Sequence, residues 1–225
     1  EGVIASHEIR IFGMGESAVE KALHGPMTAM TNPTLAPYAK LNECMVRATA
    51  KAESAQAAEA MLAPLVDQVR AALGDVVYGV DVDSLEQVVS GLLRERGLTL
   101  SAAESCTGGL IAKRVTDLPG ASEVFRGGVV SYVNDVKAGV LGVPRDLLDR
   151  YGAVSEPVAL AMAEGCRRIC GSDFAVSTTG LAGPAGDDRG NQVGDVYIAL
   201  AWEGGSLCRK LSLIHISEPT RRTPI

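Results

Sequence analysis

From Leu98 to Leu211 the chain alternates short apolar runs with amphipathic segments, and its glycines gather where a run gives way to a helix. That alternation limits the fold more than any other feature. Strands separated by helices pair through crossovers, and a crossover makes them parallel. Leu98–Ala102 reads as a strand, Cys106–Asp117 as a helix with Ile111, Val115 and Leu118 on one side, and Gly128–Val133 as the next strand. Ser155 stands in capping position before a helix over Glu156–Cys170, whose Val158, Met162, Cys166 and Ile169 face inward. Phe174–Thr178 is a strand, and Val196–Trp202 turns through Glu203-Gly204-Gly205 into Leu207–Leu211 as a hairpin. A helix from Leu85, with Leu85, Val88, Val89, Leu92 and Leu93 on one face, precedes them and ends at Gly97. The expected fold over 83–211 is a three-layer α/β/α domain with a mainly parallel, mixed sheet.

Residues 1–80 follow a different pattern, that of a small α+β domain. Ser6–Phe12 alternates like a strand, and Glu16–Leu23 carries helix formers that stop at Gly25-Pro26. An irregular stretch through Pro33 and Pro37 follows. Glu43–Thr49 reads as a strand, Ala52–Leu73 as a helix closed by Gly74, and Val76–Tyr78 as a short strand. The chain starts at Glu1, in keeping with a start inside a longer protein. Residues 212–225 break the layered pattern with Pro219 and Pro224, so this segment is expected to be a non-native or disordered tail where a covering helix would stand.

Composition removes several function classes. A net charge of −6 and a pI near 5.2, with no basic run, give no footprint for nucleic acid. The longest apolar runs, Val158–Ala163 and Val196–Trp202, are far below the ~18–20 residues of a membrane span, and the expected location is cytoplasmic. Five cysteines without a C-x-x-C pair fit free thiols in a reducing compartment. The three histidines, His7, His24 and His215, are scattered, so no metal site is expected.

The chemistry concentrates at strand ends. Leu98–Ala102 runs into Ala103-Glu104-Ser105-Cys106-Thr107-Gly108-Gly109 and then a helix, a corner of the kind at which α/β proteins hold ligands. Gly108 and Gly109 permit close backbone approach, and N–H groups at the start of the helix suit a phosphate or an oxyanion. Ser105 fits either a nucleophile raised on the turn or an N-cap. Cys106 invites a thiol reading, but residues 25–214 contain no histidine to serve as its base. A serine nucleophile needs another base too, and lysine is available. Ser131-Tyr132-Val133-Asn134-Asp135-Val136-Lys137 leaves a strand and enters a turn, so Lys137 fits either a buried base or a solvated surface lysine. Tyr132 and Lys137 stand five apart, not the four of short-chain dehydrogenases. A third loop, Thr178 to Gly186, again sets hydroxyls and glycines at a strand end, which suggests a phosphorylated or nucleotide ligand. Gly13-Met14-Gly15-Glu16-Ser17-Ala18 matches G-x-G-x-x-A without the acidic strand end a dinucleotide fold requires.

Taken in order, Ala103–Leu110, Leu118-Pro119-Gly120-Ala121-Ser122, Gly152-Ala153-Val154-Ser155-Glu156 and Thr179-Gly180-Leu181-Ala182-Gly183-Pro184 resemble the C-terminal domain of the CinA family of competence/damage-inducible proteins. Residues 8–80, with Gly15-Glu16-Ser17 and Asn32–Tyr38, resemble the family's small KH-like linker domain. A molybdopterin-binding-like domain with pyrophosphatase activity precedes that linker in such proteins and is expected to be absent here. The KH likeness does not imply RNA binding, because no G-x-x-G loop flanked by basic residues is present. The resemblance implies a cofactor-free amidase that converts nicotinamide mononucleotide to nicotinate mononucleotide and ammonia. It makes Ser105 the nucleophile, Lys137 its base and Tyr132 an adjacent hydrogen-bond partner. Thr107, Gly108 and Gly109 with Thr179, Gly180 and Gly183 would bind the nucleotide. Asn191-Gln192-Val193-Gly194 replaces the family's usual Lys-Pro-Val-Gly, so a charged substrate contact is expected to be missing. The expected partner is a small nucleotide, with no nucleic acid or membrane and a possible homo-oligomer. The alternative is a catalytically silent nucleotide-binding or scaffold module in competence or the DNA-damage response.

Overall fold

The computed structural model describes residues 2–40 and 43–212, and its contacts divide the chain into two units, Glu1–Val88 and Val89–Ile225. In the first unit, strands β1 (Val3–Ile11), β2 (Thr34–Lys40), β3 (Glu43–Ala52) and β4 (Val77–Val80) form an antiparallel sheet in the order β2-β3-β1-β4. Helices α1 (Glu16–Ala29) and α2 (Ala55–Leu73) bury Val19, Leu23, Leu62 and Val69 against Ile9, Val46 and Ala48 of the sheet. Ser54 starts α2 by accepting the Ala57 N–H at 3.2 Å.

Two expectations fail here for the same reason: tertiary burial outweighs a proline. Helix α1 does not stop at Gly25-Pro26 but continues through Pro26, because Met27 and Met30 pack on the core and Thr28 donates its hydroxyl to the His24 carbonyl at 2.7 Å. The stretch around Pro37 is strand β2, paired from Thr34↔Thr49 to Lys40↔Glu43. It lies at the sheet edge, where a missing donor is tolerated.

Helix α3 (Leu85–Arg96) opens the layered part of the chain; Leu93 is buried while Val89 and Leu92 are exposed, contrary to the single apolar face expected. The second sheet has the order β6-β5-β7-β8-β9. Strands β5 (Leu100–Glu104), β6 (Phe125–Val130) and β7 (Phe174–Gly180) are parallel, whereas β8 (Asp195–Trp202) and β9 (Gly205–Ser212) add an antiparallel hairpin. Residues 105–109 are a turn rather than helix, so α4 is shorter than expected, Leu110–Thr116. Helices α5 (Asn134–Gly139) and α6 (Arg145–Tyr151) had no clear sequence signal, and α7 spans Glu156–Cys170.

Side-chain parity along β5 fixes the layers. Ala103 packs with Met162 and Cys166 of α7, while Glu104, of opposite parity, reaches the start of α4. Helices α7 and α4 therefore cover opposite faces, giving the α/β/α arrangement. Gly165 lets α7 approach Leu141 so closely that a Cβ there would meet its carbonyl oxygen. Ser155 occupies the N-cap position, but its hydroxyl donates to the Gly152 carbonyl instead of capping, and Ile169 is exposed rather than inward. The break in pattern over 212–225 falls almost entirely outside the described residues. Among the described residues no helix is long and apolar enough to cross a membrane.

Candidate active site

Parallel pairing brings the ends of β5, β6 and β7 side by side, with Glu104 opposite Val130 on one flank and Thr178 on the other. The residue after β5 is Ser105. Its N–H donates to the Thr178 carbonyl at 3.0 Å, and the preceding Glu104 carbonyl accepts the Ser131 N–H at 2.7 Å. The backbone under Ser105 is thus bonded into the sheet on both sides. Gly108 and Gly109, at φ +62° and +101°, then reverse the chain into α4.

Lys137 approaches from α5. It is 1% exposed, and its Nζ lies 3.1 Å from Ser105 Oγ, 2.7 Å from the Ser131 carbonyl oxygen and 3.4 Å from that of Tyr132. None of these neighbours is an acid. Burial pushes the Lys137 amine below the ordinary lysine value, with only the Cys106 thiol acting weakly in the other direction. Nζ donates to all three oxygens, the serine hydroxyl and the two carbonyls, and none of them carries a charge that would hold the ammonium. Cys106, next to Ser105, is in the opposite condition, since burial raises its thiol and leaves it a weak nucleophile near neutrality.

The structure brings Ser105 and Lys137 together, but it places Tyr132 differently from a side-chain partner. Tyr132 contributes its carbonyl, while its ring is 72% exposed and its phenol has no hydrogen-bond partner among the described residues. Thr107 and Thr178 share a hydroxyl–hydroxyl bond of 2.7 Å beside the turn. Thr179 is buried and donates to the Ala153 carbonyl at 2.7 Å, tying β7 to the segment before α7. At Gly180 a Cβ would meet the Asp195 carbonyl and Val196, so glycine there is a packing requirement. Gly183 is exposed on the loop that follows. Asn191, in the segment that departs from the family pattern, bonds to Asp187 and to the Val154 carbonyl, so here it braces the loop.

The N–H groups at the start of α4 are not free for an anion. Those of Gly109, Ile111 and Ala112 all go to the carboxylate of Glu104. Within the turn, the N–H groups of Ser105, Gly108 and Gly109 are also used; those of Cys106 and Thr107 have no backbone acceptor among the described residues and face the Cys106 sulfur. Glu104 and Thr178 are the site residues that the sequence did not single out. For Glu104 a signal existed: an acid at the end of an apolar strand, immediately before a helix start. An open depression of about 720 Å³ beside Arg167, Asp173 and Trp202 lies at the other ends of these strands, away from Ser105.

Comparison with known proteins agrees with this architecture. The family described as CinA C-terminal domain matches residues 82–222, and that described as damage-inducible protein CinA KH domain matches residues 6–79. A CinA-like protein of Desulfovibrio desulfuricans is 53% identical over 199 residues, which is 88% of this chain and 47% of that protein. A CinA-like protein of Dictyoglomus turgidum is 45% identical over 212 residues, 94% of this chain and 52% of that one. The chain thus spans about half the length of these curated relatives. Among solved structures, the competence/damage inducible protein of Agrobacterium tumefaciens is 40% identical with a TM-score of 0.55, over 57% of this chain and 78% of that one. The competence damage-inducible protein A of Klebsiella pneumoniae is 32% identical with a TM-score of 0.56, over 57% of this chain and 80% of that one. With both family descriptions in chain order and the corner at Ser105 built as described, this chain belongs to the CinA family.

Proposed function

We propose that the second unit is an amidohydrolase that cleaves the carboxamide of nicotinamide mononucleotide, releasing nicotinate mononucleotide and ammonia. The observation that carries the reading is the buried Ser105–Lys137 pair, 3.1 Å apart, with no acid beside the lysine to hold it charged. The substrate comes from the family resemblance of the four motifs, and the chemistry follows from the pair.

In the first step Lys137 takes the Ser105 hydroxyl proton as Oγ attacks the carboxamide carbon, and the carbonyl electrons move onto oxygen. The N–H groups of Cys106 and Thr107 would serve that oxyanion once the Cys106 thiol, which they face, turns away. Collapse of the tetrahedral species breaks the C–N bond, and the Lys137 ammonium returns the proton to the departing nitrogen, which leaves as ammonia. Water then attacks the acyl-serine with Lys137 again as base, and the acid product leaves as Ser105 regains its proton. The loop after β7, with Gly183, and Thr107 of the turn would bind the remainder of the nucleotide, while Thr179 and Gly180 would hold that loop in place.

The test is ammonia release from nicotinamide mononucleotide by the full chain and by Ser105→Ala. Loss of turnover by about 10⁴-fold or more, with nucleotide binding retained, is expected for a nucleophile. A wild-type chain that binds the nucleotide and releases no ammonia would replace this reading with the silent binding module.

A further inference from the structure

The mechanism above does not use Glu104, although Glu104 is 1% exposed and lies directly before the nucleophile. Its Oε2 accepts the Gly109 and Ile111 N–H groups, each at 3.0 Å, and its Oε1 accepts that of Ala112 at 2.8 Å. Its backbone is bonded as well, since its carbonyl accepts the Ser131 N–H. One residue therefore holds both ends of the Ser105–Gly109 turn. The backbone fixes the entrance to the sheet, and the side chain fixes the exit into α4. Between them lie Gly108 and Gly109, both at positive φ, the two positions where this turn bends most freely.

The same three bonds have a second consequence. They use up the N–H groups at the start of α4, so no anion is drawn there, and the donors of the turn that neither the backbone nor Glu104 takes are those of Cys106 and Thr107, which face the Cys106 thiol. The direction in which those donors point depends on the turn holding its shape.

We propose that Glu104 is a positioning residue for the Ser105 nucleophile: its carboxylate locks the Ser105–Gly109 turn through the Gly109, Ile111 and Ala112 N–H groups. The lock holds Ser105 Oγ against Lys137 and leaves the Cys106 and Thr107 N–H groups for the oxyanion. The action runs through the backbone and not through charge on the lysine. For its kinetic consequence the proposal rests on the amidase reading.

The experiment compares the full chain with Glu104→Gln and Glu104→Asp. An amide sets an NH2 group against a backbone N–H, so the turn loosens. For Glu104→Gln the expected result is a kcat lower by about 10–100-fold, with KM within about twofold and the acid limb of the pH–rate profile unmoved. Glu104→Asp, which keeps two acceptor oxygens, should recover part of the loss. A second arm, the rate at which a fluorophosphonate labels Ser105, needs no substrate assignment and should fall in parallel. Labelling at Ser105 without ammonia release by the wild-type chain would overturn the amidase reading while leaving Glu104 testable by its effect on that rate. Wild-type kcat and labelling rate in Glu104→Gln, or a loss confined to KM, would overturn the proposal. Should Glu104→Gln fail to fold, amide hydrogen exchange of the wild-type chain decides. The Gly109, Ile111 and Ala112 amides should be protected together, and fast exchange at these three would overturn the lock.

Discussion

His7 in the first unit and Lys137 in the second are both bases surrounded by oxygen, yet their proton affinities move in opposite directions. His7 on β1 faces Asp81 from one ring nitrogen at 2.5 Å and Glu59 of α2 from the other at 2.8 Å. Both nitrogens meet carboxylates, which favour the protonated ring; the bond to Asp81 is the leading cause of its raised value. Lys137 meets two carbonyls and a hydroxyl, with almost no water, and burial lowers its value. The difference lies in the charge and dryness of the surroundings. A charged partner in contact with solvent holds a proton in place, whereas a neutral, dry surround leaves an amine ready to accept one.

The comparison is open to attack at each end. The largest effect is expected from Lys137→Met, which should lower kcat/KM for ammonia release by about 10²–10⁴-fold, the usual contribution of a positioned base. Wild-type activity should rise with pH through the lowered Lys137 value and then level off. Stability has its own sign. The folded chain binds the Lys137 proton less tightly than the unfolded chain does, so folding is penalised while both are protonated. That penalty lifts as pH rises past the lowered folded value toward 10.5. Urea midpoints measured between neutral pH and pH 10 should therefore climb less steeply in Lys137→Met; an unchanged slope would mean the amine is not desolvated.

A smaller effect is expected at the other end. His7→Gln should lower stability by about 1 kcal/mol, since both carboxylate partners are half exposed and screened by solvent. Because the folded value is raised, that stability is present in full below 6.5 and disappears as pH rises through the raised value, so the two urea midpoints should converge at alkaline pH. Amide hydrolysis should be unaffected. The smallest change should come from Tyr132→Phe, with kcat altered by less than about threefold, because Lys137 meets the backbone carbonyl of that residue and not its phenol. A large loss of kcat would show that the exposed ring reaches the substrate.

Ser105 was legible because its corner is local: an apolar strand, two glycines and a helix start lie within a dozen residues. Lys137 was legible only as a candidate, since nothing near it in sequence distinguishes a buried lysine from a solvated one. Helices α5 and α6 escaped notice because six or seven residues, fewer than two full turns, give periodicity little to repeat. Pro26 and Pro37 misled for the opposite reason. Their local meaning is strong, but Met27 and Met30 on the core and an edge position in the sheet override it. Glu104 carried no separate reading in the corner motif, because the N–H groups its carboxylate meets lie five to eight residues on, around a turn that only the fold defines.

The sequence by itself determined the alternation that makes a layered domain, the glycines that allow sharp strand-to-helix corners, and the lack of any histidine over residues 25–214. These depend on residue type and spacing, which local sterics and hydrophobic periodicity read directly. Only the tertiary structure decided which lysine is dry, which carbonyls it meets and which N–H groups the Glu104 carboxylate takes. Each of these rests on strands that pair across long stretches of sequence. The register that sets Glu104 between Val130 and Thr178 brings Ser105 and Lys137, 32 residues apart, within a hydrogen bond, and only that enclosure removes the water whose loss lowers the amine's proton affinity.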